Sequence, residues 1–589
     1  MKKTLLILLA STILFAACKQ HDEPAAQKTT VTVNTHTDGN VYLVKINTSS
    51  TKTITASNTG KVESTKPRAA ADELPSLPQL HDDAFIRQQN QKIVDALANT
   101  NISRAADNEI DLDNIATGVS NVTYKTVYDK EPDDEEEVYK RTFHTFSESK
   151  TSGGMLEGYS HEIEATCYYA GEHCYIFGDD TEYDGANLLK ENKGIKLNYD
   201  SYASNTKSSD NSFFKLGKEF DRCYELETAI IGDPKYDKYR DGIFVPSNEK
   251  VIIFVSDLYG DATKGQESGV VGYFYNGDLY NQKFLDNYVN IDMFGNKKDP
   301  SKDNSYVYTN ATAMFYVDSN FLTNMENTVY TTLVHEFNHM INFIQKTLKY
   351  MNNDELPTVN DMANHMCDTW FTEMLAMTTE DMFCDFLSTE YTESPMARLP
   401  LFNLFYYYGF RNWASYTVKD SSGQKIDIDS IYVSYANTYA FGAFLARNYG
   451  GIDLIKEIAT NGYVNEQAIN QALIKRGSTY KEALSNFALV LINTAAPTSA
   501  QLAHTGENYY YTMNRSAKKT GEELYFDAIN LNTLKMGDYT YKPTIIAKAK
   551  SVDLGPNGFS VHYVGNNIKS FELTANTSSL MEYYLVEFN

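Results

Sequence analysis

Thr331-Thr-Leu-Val-His-Glu-Phe-Asn-His-Met-Ile-Asn342 decides how this chain is read. Leu333, Phe337, Met340, Ile344 and Leu348 recur at spacings of three and four, the period of a helix with one apolar stripe. His335 and His339 are four apart. They therefore project from the same side of that helix, on a different face from the stripe, and can share one metal ion. Glu336 between them is rotated to the neighbouring position, where it can act as a base on water rather than as a ligand. The pattern is H-E-x-x-H. With 11 histidines in the chain, its chance occurrence is on the order of one in a hundred. The bland alternative is a pair of surface histidines flanking a solvated glutamate.

A catalytic zinc site needs a third protein ligand and an open position. A second helical segment, from about Asp361 onward, offers His365, Asp368, Glu373, Glu380 and Asp381. His365 precedes Glu373 by eight residues, about two helical turns, too far along the helix to replace it easily. Glu380 or Asp381 could instead orient a ligand imidazole, because a metal-bound histidine usually donates its other N–H to an acceptor.

Trp370-Phe-Thr-Glu-Met-Leu-Ala376 resembles the W-x-x-E-x-x-A segment of the gluzincin metallopeptidases. Within that clan the chain is most similar to the hyicolysin-like family of secreted bacterial neutral metallopeptidases. The resemblance is carried by Thr331 to Asn342 and Trp370 to Asp381. It extends more loosely to Gly171-Glu-His-Cys-Tyr-Ile176 and Val271-Gly-Tyr-Phe-Tyr-Asn-Gly-Asp278. It implies that Glu373 is the third zinc ligand, on a helix packed beside the first, and that the activity is that of an endopeptidase. Thr372 and Met374 stand where many relatives have Asn and Gly. The resemblance also implies a Tyr or His on a later helix as donor to the developing oxyanion. Ser434-Tyr-Ala-Asn-Thr-Tyr-Ala-Phe-Gly442 supplies Tyr439 as first choice and Tyr435 as second.

Around this centre the periodicity changes twice. Residues 76–324 carry mostly short runs of β-branched and aromatic residues, such as Val251-Ile-Ile-Phe-Val255 and Ala313-Met-Phe-Tyr-Val317, bounded by Gly, Asp or Asn. A helical pattern at about Asp82 to Ala98 precedes them. Residues 325–500 read as helices, one of them stopped by Gly450-Gly451. Residues 505–589 return to β patterns, such as Tyr583-Tyr-Leu-Val-Glu587. Residues 19–75 read as a polar tether holding at most a small β element at Val41 to Ile46. The expected fold class is α+β: a β-rich N-terminal half, a mainly helical half with the H-E-x-x-H helix, and a β-rich C-terminal tail, with the chemistry where sheet meets helices.

Asp180-Thr-Glu-Tyr-Asp-Gly185 with Glu191 has the outline of a calcium loop, a weak second metal signal. Glu182 at its third position, Asn187 at its eighth and strand-like flanks favour a plain acidic turn instead.

Bulk composition narrows the rest. With 589 residues, three or four structural units are expected. The net charge of −25 repels phosphate, which excludes a nucleic-acid partner. Lys2 and Lys3, the apolar run Leu5 to Phe15 and Ala16-Ala-Cys18 read as a lipoprotein-type signal over residues 1–18, with lipid on Cys18 as the membrane link. The expected location is the cell envelope of a bacterium, by export and lipid anchoring. The remaining cysteines, Cys167, Cys174, Cys223, Cys367 and Cys384, are odd in number and read as mostly buried thiols with at most one disulfide. The expected function is zinc-dependent hydrolysis of protein or peptide substrates. The alternatives are a surface lipoprotein binding a partner through a structural or inactive site, and a hydrolase of non-peptide amides.

Overall fold

The computed structural model describes residues in the spans 27–32, 40–56, 84–99, 122–180, 209–258, 269–349, 365–411, 430–495 and 511–588. Small pieces at 191–196 and at 413 are also described, and short stretches inside some of these spans are not. The signal segment with Cys18, most of the tether and the calcium-loop residues 181–190 lie outside the described residues.

The two ends of the chain form one β unit. Strand β1 (Gln27–Thr32) pairs with β12 (Ser570–Ala575), and β3 (Ile54–Ala56) with β10 (Val552–Leu554). Between them β2 (Asn40–Asn47) is the middle strand of a three-stranded antiparallel sheet, flanked by β11 (Phe559–Asn566) and β13 (Met581–Phe588). The β element read at Val41 to Ile46 is thus a central strand, and Val41, Val44 and Ile46 are fully buried. Asn47 locks the pairing from its side chain, donating to the carbonyls of Leu554 (2.9 Å) and Gly555 (3.0 Å).

The main sheet holds β4 (Lys140–Lys150), β5 (Leu156–Ala170), β6 (Cys174–Asp179), β7 (Val251–Ser256), β8 (Gly272–Tyr273) and β9 (Met314–Asp318), in the spatial order β8-β9-β7-β6-β5-β4. The β9–β7 and β7–β6 pairs are parallel and the others antiparallel. Such parallel strands are covered on both faces, so Val251 to Val255 reads as an unbroken apolar run and is buried throughout. On one face Phe143 packs on Phe177 and Phe254, at 5.2 and 4.9 Å between ring centres.

The helices that bear on the site are α1 (Ala84–Asn99), α2 (Ser212–Ile231), α3 (Gln282–Tyr288), α4 (Glu326–Phe343), α5 (Thr369–Phe383) and α6 (Ser430–Tyr449), with further short helices between and after them. Asn211 caps α2 through its side chain, which accepts from the N–H groups of Phe213 and Phe214. Helix α4 lies between α2, the strands β8 and β9, and α5. Its apolar stripe Leu333, Phe337 and Met340, continued by Ile344 and Leu348 in the π-helical turn that follows, is fully buried, and Phe337 meets Phe220 (5.0 Å) and Tyr224 (5.3 Å) of α2. The architecture is α+β, as the sequence predicts. The five cysteines are all free thiols; Cys167, Cys174 and Cys223 are buried. Among the described residues no helix is long and apolar enough to cross a membrane.

Candidate metal centre

Helix α4 brings His335, Glu336 and His339 to its boundary with α5, which carries Glu373 and Glu380. Small side chains and a missing one let these elements approach. Gly272 of β8 faces α4 so closely that a Cβ there would sit 2.6 Å from Thr332 Cγ2 and 3.4 Å from Glu336 Cγ. Gly442 of α6 faces α5, where a Cβ would sit 2.2 Å from Thr378 Oγ1 and 2.9 Å from Met374 Cγ.

The structure brings His335, His339 and Glu373 together, with one potential ligand atom of each inside a mutual distance of 4.8 Å. His335 Nε2 and His339 Nε2 are 3.0 Å apart. Glu373 Oε2 lies 3.3 Å from the first, and its Oε1 3.6 Å from the second. His335 Nδ1 is 2.5 Å from Glu380 Oε1. That carboxylate holds the N–H on Nδ1, so loss of the other ring proton, which a metal ligand must give up, leaves a lone pair on Nε2 facing the other two groups. Glu373 Oε2 is buried and accepts no hydrogen bond. Three electron-pair donors thus converge, one of them an unsatisfied buried carboxylate oxygen, which is costly unless a cation joins them. Two imidazoles, one carboxylate and an open fourth direction are the donor set of a catalytic zinc site, so the residues fit that ion.

The electrostatics follow from burial among like charges. Burial pushes the Glu336 carboxyl up to about 8, with Glu373 and Glu380 adding to it. Burial opposes charge on His335, but Glu380, Glu373 and Glu336 outweigh it and hold its pKa up at about 10. Burial lowers His339 to about 4. Glu336 is not among the converging donors; its carboxyl is hydrogen-bonded by the backbone of Phe274, next to edge strand β8.

The remaining candidates separate. Glu380 orients His335, whereas its neighbour Asp381 accepts two hydrogen bonds from Arg447, at 2.7 and 3.1 Å. Asp368 accepts from Trp370 Nε1 (3.0 Å) at the start of α5. His365 is not brought to the centre; its carbonyl accepts from Thr347 Oγ1 (3.1 Å). Tyr439, the first choice as oxyanion donor, is set instead beside Asp381, Arg447 and Cys384 and is completely buried. On α6 it lies against the Asp381–Arg447 pair. Tyr435, one turn earlier, accepts a hydrogen bond from Arg87 Nη1 (3.4 Å). Arg87 in turn interacts electrostatically with His339 and Glu373. Arg87 and Arg447 both escape a reading of the sequence: each is an ordinary basic residue on a helix, and only the packing brings it to an acidic partner. At the edge of the calcium-like stretch Asp180 pairs with Lys140 at 3.5 Å, and among the described residues the metal-ligating cluster found is His335, His339 and Glu373.

Comparison with known proteins agrees with this chemistry at a coarse level. No protein-family model matches the chain. Over 313 residues it is 27% identical to the neutral metalloprotease ShpI of Staphylococcus hyicus, a stretch that covers 51% of this chain and 59% of that relative. A metal-binding hydrolase is the class that this similarity and the His-His-Glu cluster jointly suggest.

Proposed function

We propose that the protein is a zinc-dependent endopeptidase whose centre is His335, His339 and Glu373, with Glu336 as general base. The observation that carries this reading is the convergence of His335 Nε2, His339 Nε2 and a buried, unsatisfied Glu373 oxygen directly beside an acid that is not a ligand. A zinc ion held there supplies a Lewis acid that polarises a carbonyl and acidifies water. Glu336 takes the proton of the attacking water and returns it to the leaving amine. Glu380 keeps His335 in the ligating tautomer. Strand β8 ends the main sheet among the described residues, so an extended substrate can add along its outer side and run past Glu336.

Export and lipid anchoring through Cys18 are part of the proposal and rest on the sequence of residues 1–18. The test measures bound zinc and casein cleavage for the purified mature chain and for Glu336→Gln. Equimolar zinc in both, with cleavage lost only in the variant, supports the reading. A wild-type chain that binds no zinc refutes it.

A further inference from the structure

A second polar cluster gathers around Tyr435 of α6, and it consists of hydrogen-bond donors. Tyr435 is fully buried. Its hydroxyl accepts from Arg87 Nη1 of α1 at 3.4 Å, and the Arg398 guanidinium stands over its ring, 5.1 Å from the ring centre. The Trp413 ring meets the same tyrosine edge-on, with 4.9 Å between ring centres, and Arg87 stands over that indole at 5.8 Å. Arg398 is only 8% exposed. Among the described residues its guanidinium has no hydrogen-bond or ion-pair partner, only the Tyr435 ring, and it does not cap the helix Leu399–Phe405 that it precedes. Trp413 Nε1 is buried and donates to nothing. A guanidinium carries five N–H donors and an indole one, with no acceptor on either. Donors buried in this way lower stability until an acceptor reaches them. The chain carries a net charge of −25, so most of its surface repels anions. Two arginines gathered on one tyrosine are a local exception to that field.

We propose that Arg87, Arg398 and the Trp413 indole N–H form a pocket for a carboxylate of the peptide substrate, either its C-terminus or an acidic side chain. A planar guanidinium fork matches the two oxygens of a carboxylate, and the indole offers a further donor. The place suits a substrate. The turn Pro395–Arg398 packs on α5, which carries Glu373, and on α6. Helix α1 packs on the turn Asn276–Leu279, which follows strand β8. The pocket is thus framed by elements that adjoin the metal-centre helix α5 and the strand beside Glu336. A carboxylate bound there supplies the acceptor that Arg398 and Trp413 lack, and it fixes the residue that carries it relative to the scissile bond. The assignment to substrate rests on the peptidase reading above; the pocket itself does not.

The experiment uses the full mature chain in the Glu336→Gln background, so that no probe is cleaved, isotope-labelled at its two tryptophans. The indole N–H signal of Trp413, identified by its loss in Trp413→Phe, is followed by heteronuclear NMR. The probes are tetra-alanine, its C-terminal amide, the same amide with one aspartate, and inorganic phosphate. A saturable shift is expected with one or both carboxylate peptides and not with the plain amide. Arg398→Met is expected to weaken that binding by about tenfold or more, and Arg398→Lys, which keeps the charge and loses the fork, by less. A response to tetra-alanine alone assigns the C-terminus, and a response to the aspartyl amide alone assigns an acidic side chain. A response to phosphate and to neither peptide overturns the carboxylate class. No saturable shift with any probe, or equal affinity in wild type and Arg398→Met, overturns the pocket. Urea unfolding adds a second check, because an apolar side chain in place of an unpaired buried cation should leave the midpoint at or above wild type. A marked fall, or a variant that does not fold, shows that Arg398 already serves the fold and overturns the pocket. Carboxylate binding in a chain that cleaves no casein with Glu336 intact supports the pocket and overturns its assignment to substrate together with the peptidase reading. Casein cleavage without carboxylate binding overturns the pocket alone.

Discussion

Replacing Glu380 by Ala isolates one hydrogen bond in the centre. The bond joins His335 Nδ1 to Glu380 Oε1 at 2.5 Å, between side chains 1% and 3% exposed. Its loss leaves a buried N–H unpaired, at a cost of about 1–3 kcal/mol. It also frees the ring to adopt the other tautomer, which turns Nε2 from a lone-pair donor into an N–H aimed at His339 and Glu373. Comparable outer hydrogen bonds in metal sites contribute about 10–100-fold in affinity, or roughly 1.4–2.7 kcal/mol. Glu380→Ala is therefore expected to weaken zinc binding by about 10–100-fold, measured by competition with a chromogenic chelator. Glu380→Gln keeps an acceptor and should fall at or below the lower end of that range. Asp381→Ala is the control one residue away. It leaves Arg447, whose side chain is 0% exposed, without its partner, which should lower stability by about 3–5 kcal/mol and leave zinc affinity near wild type. Wild-type affinity in Glu380→Ala, or equal losses of affinity in Glu380→Ala and Asp381→Ala, refutes the assignment of Glu380 as the orienting acid.

Gly442→Ala should separate α6 from α5, since its Cβ would lie 2.2 Å from Thr378 Oγ1 and 3.2 Å from Met374 O; a loss of about 1–3 kcal/mol in urea unfolding is expected. Asp278 gives a pH signature. It accepts from Tyr316 OH and from the Asn310 N–H, both at 2.7 Å, and burial pushes its pKa up to about 7. A folded value above the unfolded one means that stability is fully present below about pH 4 and is lost as pH rises through about 7, by up to roughly 4 kcal/mol. Asp278→Asn should flatten that slope, as read by unfolding at a series of pH values.

The features legible in the sequence are those with a local cause. The stripe Leu333 to Leu348 fixes the helix and its buried face, and a spacing of four puts His335 and His339 on one side of it. The unbroken run Val251 to Val255 signals a strand covered on both faces. What escaped has a long-range cause. Glu380 and Asp381 are adjacent residues on one helix, about 100° apart around its axis. Which of them turns to His335 and which to Arg447 depends on where α4 and α6 lie. Tyr435 and Tyr439 differ by one turn of α6 and are equally plausible by composition, yet one accepts from Arg87 and the other lies against Asp381. The pairing of β2 with β11 and β13 joins residues more than 500 positions apart in sequence, which no local pattern encodes.

Charge accounting links these details to one another. Helix α5 presents Glu373, Glu380 and Asp381 to the interior, and α4 adds Glu336; all four are buried. Arg447 neutralises Asp381 through two hydrogen bonds, so Glu373, Glu380 and Glu336 remain against the two imidazoles, with buried Glu227 of α2 also facing the charge of His335. A buried anion is tolerated only with compensation. Burial is the first cause of the shift at Glu336, up to about 8, with Glu373 and Glu380 adding to it; at His335 the carboxylates overcome burial and hold the pKa up at about 10. Two sources of positive charge can answer that demand: a divalent ion on the converging donors, or a cation of the chain itself. Arg87, which donates to Tyr435 and interacts electrostatically with His339 and Glu373, is such a cation. The surplus of buried negative charge at the centre is what a divalent ion on the converging donors would balance.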